Sequence, residues 1–139
     1  MYAGISVLIV LVLSIVRKVD SVAGFPAGVE DVVGEVRSTF KCPPRAGYFA
    51  DVDNDCKVFH VCHPVESSKG QQDIQHFMFF CGNQTVFDQS TLTCAHPEQA
   101  VPCSLAAMFF DLNDRIGREE EYFLSDQDAQ RADSLRIGF

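Results

Sequence analysis

The sequence predicts a small, disulfide-rich, mostly β domain, and three observations carry that expectation. All six cysteines of the 139-residue chain fall between Cys42 and Cys103. The apolar residues of that stretch come in short β-branched or aromatic runs separated by turn residues, which is how short strands read. No part of it keeps helical spacing for ten residues.

In chain order, residues 5–16 (ISVLIVLVLSIV) form an apolar run, followed by Arg17 and Lys18 and by small residues at Ser21 and Ala23. The run is shorter than the roughly 20 residues that span a bilayer, so residues 1–23 read as a signal peptide cut after Ala23. Residues 24–39 (GFPAGVEDVVGEVRST) read as a leader into the domain, which is taken to cover residues 40–104. Within it, strands are expected at 48–51, 57–62 (KVFHVC), 75–81 (QHFMFFC), 85–88 and 91–94, with turns at 53–55, 67–70, 82–83 and 88–90. Alternation in 75–81 puts Phe77 and Phe79 on one face with Gln75, and His76, Met78 and Phe80 on the other. Residues 105–139 are acidic with scattered apolar residues. Beyond a stretch at 105–112 able to dock on the domain, they are expected to form a flexible tail, since they bury too little to offset the entropy of ordering.

Residues 47–64 (GYFADVDNDCKVFHVCHP) invite three chemistries. Asp51, Asp53 and Asp55 alternate as calcium ligands do, but an EF-type loop starting at Asp51 needs glycine at its sixth position and glutamate at its twelfth, where this chain has Cys56 and Cys62. His60, Cys62 and His63 crowd together, yet the chain has no C-x₂-C or H-x₃-H pair of the kind structural zinc favours. Neither metal nor cofactor is expected, and His60, His63, His76 and His96 read as strand or surface residues. An even count of widely spaced cysteines behind a signal peptide reads instead as three disulfides. A domain of this size needs such staples, because its core is small. Spacing alone leaves 15 connectivities open.

Formal net charge is −8 and becomes more negative once Arg17, Lys18 and Asp20 are removed. That balance argues against nucleic acid and anionic membranes as partners. No enzyme is expected: there is no nucleophile-elbow motif, and the domain leaves little room for paired carboxylates facing across a cleft. Asn83-Gln84-Thr85 is an N-glycosylation sequon in an expected loop.

The order of residues Cys42-Pro43, Gly47-Tyr48-Phe49, Ala50-Asp51, Cys56, Phe59 before Cys62, Cys81, Phe87-Asp88 before Cys94, Pro97 and Val101-Pro102-Cys103 resembles the type 2 chitin-binding, or peritrophin-A, domain of arthropod extracellular proteins. The resemblance implies the pairings Cys42–Cys62, Cys56–Cys103 and Cys81–Cys94, an antiparallel sheet carrying 75–81, and a small β-hairpin over 85–94. It also implies chitin or N-acetylglucosamine oligosaccharides as ligand, with Tyr48, Phe49, Phe59, Phe77, Phe79 and Phe87 as candidate stacking platforms. Where the family usually carries an aromatic two positions after the fifth cysteine, this chain has His96, and it has no Trp. Chains with one such domain resemble cuticular proteins analogous to peritrophins and the centipede scoloptoxins. The expected function is therefore a secreted, non-catalytic chitin binder of an extracellular matrix such as cuticle or gut lining, with a venom-secreted toxin-like protein as the alternative and the acidic tail as a contact for a protein partner.

Overall fold

Strand alternation dominates the middle of the chain and a three-residue period dominates its end. The computed structural model describes residues 28, 31, 33–37 and 39–136. The predicted signal peptide, residues 1–23, lies outside the described residues, as does much of the leader.

β1 (Gly47–Ala50), β2 (Val58–Glu66) and β3 (Gln72–Phe80) form an antiparallel sheet in that order, and β4 (Val86–Asp88) pairs with β5 (Thr93–Ala95) in a separate hairpin. The expected small, mostly β architecture is therefore present. β2 runs past its predicted end at 62 even though Pro64 lies within it. β1 pairs only with residues 59–62 of β2, so beyond Cys62 one side of β2 has no β1 partner and the missing N–H of proline breaks no ladder bond there.

Between β1 and β2 the chain makes a 3-10 turn at Val52–Asn54, capped by the Asp51 carboxylate accepting from the Asn54 N–H. Asp55 and Cys56 then adopt left-handed backbone, φ 53° and 55°, which L residues disfavour. The turn is locked by Cys56 N–H donating to the Asp51 carbonyl and by the bridge from Cys56 to Cys103. The other bridges are Cys42–Cys62 and Cys81–Cys94, so all three pairings implied by the family resemblance are formed.

Residues 105–112 dock on the domain, as their apolar residues suggested, whereas the rest of the segment after Cys103 departs from the flexible tail expected of it. Residues Cys103–Arg115 wind as consecutive 3-10 turns, and Asp126–Leu135 forms helix α1. In the first of these, Cys103, Ala106, Phe109 and Leu112 recur every third residue, the period at which 3-10 side chains align. Cys103 is tied to Cys56, Ala106 joins the core under the hairpin with Ala50 and Phe87, and Phe109 and Leu112 are fully buried against Val101 and Ala132 of α1. α1 begins with a capping box: the Ser125 hydroxyl accepts from the Asp128 N–H and the Asp128 carboxylate reaches back to the Ser125 N–H. The Ser125 hydroxyl first, then Arg115, hold the Asp128 carboxyl down to about 2 against the opposing effect of burial. Further along, Arg131 lies over the Phe109 ring at 4.4 Å and Arg136 pairs with the buried Asp88 at 3.3 Å. The acidic composition misled because the segment's four arginines pair with Asp111, Glu121, Asp128 and Asp133 while its apolar residues at 106, 109 and 112 are buried.

β1 owes its position to two side-chain amides. Asn113 accepts from the Tyr48 N–H at 2.8 Å and donates to the Tyr48 carbonyl at 2.9 Å. Buried Gln89 accepts from the Ala50 N–H and donates to the same carbonyl. A Cβ on Gly47 would lie 2.4 Å from the Asn113 side chain, so the approach of this segment requires glycine there.

Candidate functional site

The sheet registers place two rows of side chains on one face. Tyr48, Val61 and Phe77 stand opposite one another across β1, β2 and β3, and Ala50, Phe59 and Phe79 form the next row. Phe77 and Phe79 do share a face, as alternation predicts. Exposure then divides the six candidate platforms. Phe77 is 49 % exposed, Phe79 46 % and Tyr48 37 %, whereas Phe49 and Phe87 are buried at 0 % and 2 %. A buried ring has no face to offer a sugar, so Phe49 and Phe87 are core residues. Phe49 packs edge-on against Phe110 at 5.1 Å from the opposite face of the sheet. Phe59 stacks on Phe87 at 4.3 Å and on Phe79 at 5.4 Å, which makes it a support that links the exposed Phe79 ring to the core rather than a free platform.

Tyr48 and Phe77 flank a groove of about 380 Å³ floored by Val61 and edged by His63, Gln75 and Ile116. Strands lie about 4.8 Å apart, so Tyr48 and Phe77 are separated by about two such spacings, close to the repeat of a β-1,4-linked disaccharide. Along β3, Phe77 and Phe79 are about 7 Å apart. The arrangement supplies apolar ring faces at carbohydrate spacing, with side-chain amide and imidazole groups at the edge for hydrogen bonds.

The opposite face carries a polar chain that sequence reasoning did not find. His60, 2 % exposed, bonds through Nε2 to the equally buried Asp51 carboxylate at 2.8 Å, and through Nδ1 to Nε2 of His76 at 2.8 Å. Phe40, just after the leader, stacks on the His60 ring at 3.9 Å. Asn54, which also donates to Asp51, exchanges two hydrogen bonds with the backbone of Arg37. Neutral His60 satisfies every partner: Nε2–H donates to Asp51 and Nδ1 accepts from His76. The available signal was phase, since residues 58, 60 and 62 share a face and Cys62 is a disulfide end.

Burial lowers the His60 pKa below its usual 6.5, opposed by the Asp51 carboxylate. The unfolded chain therefore takes up this proton first, and stability is lost as pH falls below the unfolded value of about 6.5. Urea midpoints between pH 8 and pH 5 should fall in this window for the native protein, and the fall should be much smaller for His60→Gln. An equal fall in both would remove His60 as its cause.

Asn83 is exposed in the turn before β4, and the hydroxyl of Thr85, the third sequon residue, donates to the Gly82 carbonyl.

Three bridges, a three-stranded sheet with exposed aromatics on one face and a small hairpin packed on that same face through Phe87 and Phe59 define a disulfide-stapled β module. Residues 42–103 match the family described as chitin binding peritrophin-A domain, and over that span the chain carries a domain of this family. It is similar to U-scoloptoxin(01)-Cw1a of Cormocephalus westwoodi, 37 % identical over 60 residues, which are 42 % of this chain and 44 % of that one. It is also similar to U-scoloptoxin(01)-Er1a of Ethmostigmus rubripes, 36 % identical over 53 residues, 38 % of each. The chain thus aligns with less than half the length of these relatives. No solved structure matches it significantly.

Proposed function

We propose that this is an extracellular chitin-binding protein without catalytic activity, holding N-acetylglucosamine polymer on Tyr48, Phe77 and Phe79. The observation that carries the reading is the in-register exposure of these rings on one face of a sheet that belongs to a chitin-binding domain family. Pyranose rings pack their apolar faces on such aromatics, while acetamido groups take hydrogen bonds from groups such as Gln75 and His63. Fixed by its packing on Phe59, the Phe79 ring loses little freedom when a sugar docks. Asn83 carries an N-glycan in this reading, and cuticle or a gut lining is the matrix.

By analogy with base stacking, each platform contributes about 1–3 kcal/mol. Phe77→Ala and Phe79→Ala should each therefore weaken retention on chitin beads by about fivefold or more. Cellulose beads are the control for the acetamido group. Retention should persist in molar salt, since chitin is nearly uncharged and has no counterions to release. Folded variants that stay on the beads while salt elutes the native protein would refute the stacking mechanism and point to a charged partner.

A second reading, a toxin-like secreted protein on the same scaffold, is favoured by the names of both relatives. The tissue of expression separates the two, a venom gland supporting the second and a cuticle-forming or gut epithelium the first.

A further inference from the structure

We propose that residues 113–123, outside the span that matches the family, form a second wall of the site and lengthen it, so that the protein grips a longer N-acetylglucosamine chain than the aromatic rows alone could hold. The inference rests on the carbohydrate-binding reading above. Its basis is continuity. A second groove, of about 500 Å³, lies beside the first, and Tyr48 and Ile116 line both. That shared pair stands between the two grooves, with Phe77 lining the first and Leu92 and Phe123 the second. Each groove falls in the size range of small-ligand sites.

The chemistry of the second groove suits an uncharged polar chain. Its cations are already matched: Arg115 pairs with Asp128 and Glu121, and Arg118 pairs with Glu121 at 3.3 Å. An anionic ligand would have to compete with those carboxylates and a cationic one with those guanidinium groups. A chain of acetamido sugars needs neither, since it can accept hydrogen bonds from Arg118 and Thr91 at the rim and donate to Glu121 while its ring faces meet Leu92, Ile116 and Phe123. The wall is also held in place. Asn113 is hydrogen-bonded to the Tyr48 backbone, Arg115 donates to the Phe123 carbonyl at 3.3 Å, and Gly117 turns the chain at φ 79°.

The test is calorimetric titration of the full chain with the disaccharide and the hexasaccharide of N-acetylglucosamine. The native protein should bind the hexasaccharide at least about tenfold more tightly. A longer chain also gains by offering more registers, so comparison between variants decides. Arg118→Ala combined with Glu121→Ala, both on the surface and paired with each other, should remove most of that advantage and leave the disaccharide affinity unchanged. Ile116→Ala should weaken the hexasaccharide more than the disaccharide. Phe77→Ala should weaken both. An undiminished hexasaccharide advantage in the Arg118/Glu121 and Ile116 variants, each with a native melting temperature, would overturn the second wall. Unaltered binding of both sugars by Phe77→Ala would overturn the aromatic platform instead, and no binding by the native chain would overturn both.

Discussion

Replacing Cys56 and Cys103 together by alanine is expected to destabilise the protein more than loss of either other bridge. This bridge closes the longest loop, with a separation of 47 residues against 20 and 13. Chain entropy assigns it about 4 kcal/mol, and about 3 kcal/mol to each of the others. Small domains have total stabilities of about 5–15 kcal/mol, so reduction of all three should unfold the chain. Cys56 also holds the left-handed turn that positions Asp51 under His60, and Cys103 starts the 3-10 segment. Urea denaturation of the three paired alanine variants tests the order. An equal or smaller loss for Cys56/Cys103 than for Cys81/Cys94 would contradict it.

The second large effect concerns the end of the chain. A fragment of residues 40–104, which the domain boundary read from the sequence treats as self-sufficient, is expected not to fold cooperatively. It would lack Phe109 and Leu112, expose Phe49 where Phe110 covers it, and leave the outer hydrogen-bonding groups of β1 without Asn113. Within the full chain, Phe109→Ala should cost about 3–5 kcal/mol and Leu112→Ala about 2–5 kcal/mol, as for other buried side chains of this size. Thermal melts of the fragment and of both variants provide the measurement. A sharp melt for the fragment near that of the full chain would mean that the segment rides on the domain without supporting it.

How far these features could be read from the sequence depended on whether their signals are local. Period-two alternation located β2, β3 and the hairpin, because a strand announces its faces residue by residue. The disulfide pairing was not local: spacing left every connectivity open, and only the resemblance to a known family selected one. Among the aromatics, alternation grouped Phe77 with Phe79 correctly. It could not exclude Phe87, nor demote Phe59, because that requires knowing that β4 packs the Phe87 ring against Phe59. In the end segment the docking of 105–112 was legible from its apolar residues, but the ordering of the rest and the 3-10 form were not. Its apolar residues at 103, 106, 109 and 112 repeat every third position, which a search for helical spacing of 3.6 passes over, and long 3-10 runs are uncommon. The Ser125 to Asp128 capping box was nonetheless a local signal for the start of α1.

The two amides along β1 carry a consequence for life at high density. A strand with a bare outer edge is a template on which a neighbouring chain can pair, and crowding turns that into aggregation. Protein molecules arrayed on a polymer surface meet one another side by side, at local concentrations far above those in solution. Asn113 and Gln89 imitate the partner strand from within the same molecule, filling the Tyr48 and Ala50 backbone positions a neighbour would need. An intruding strand would have to evict both side chains, each held in the interior, before gaining its first bond, so close neighbours are kept from fusing their sheets along β1.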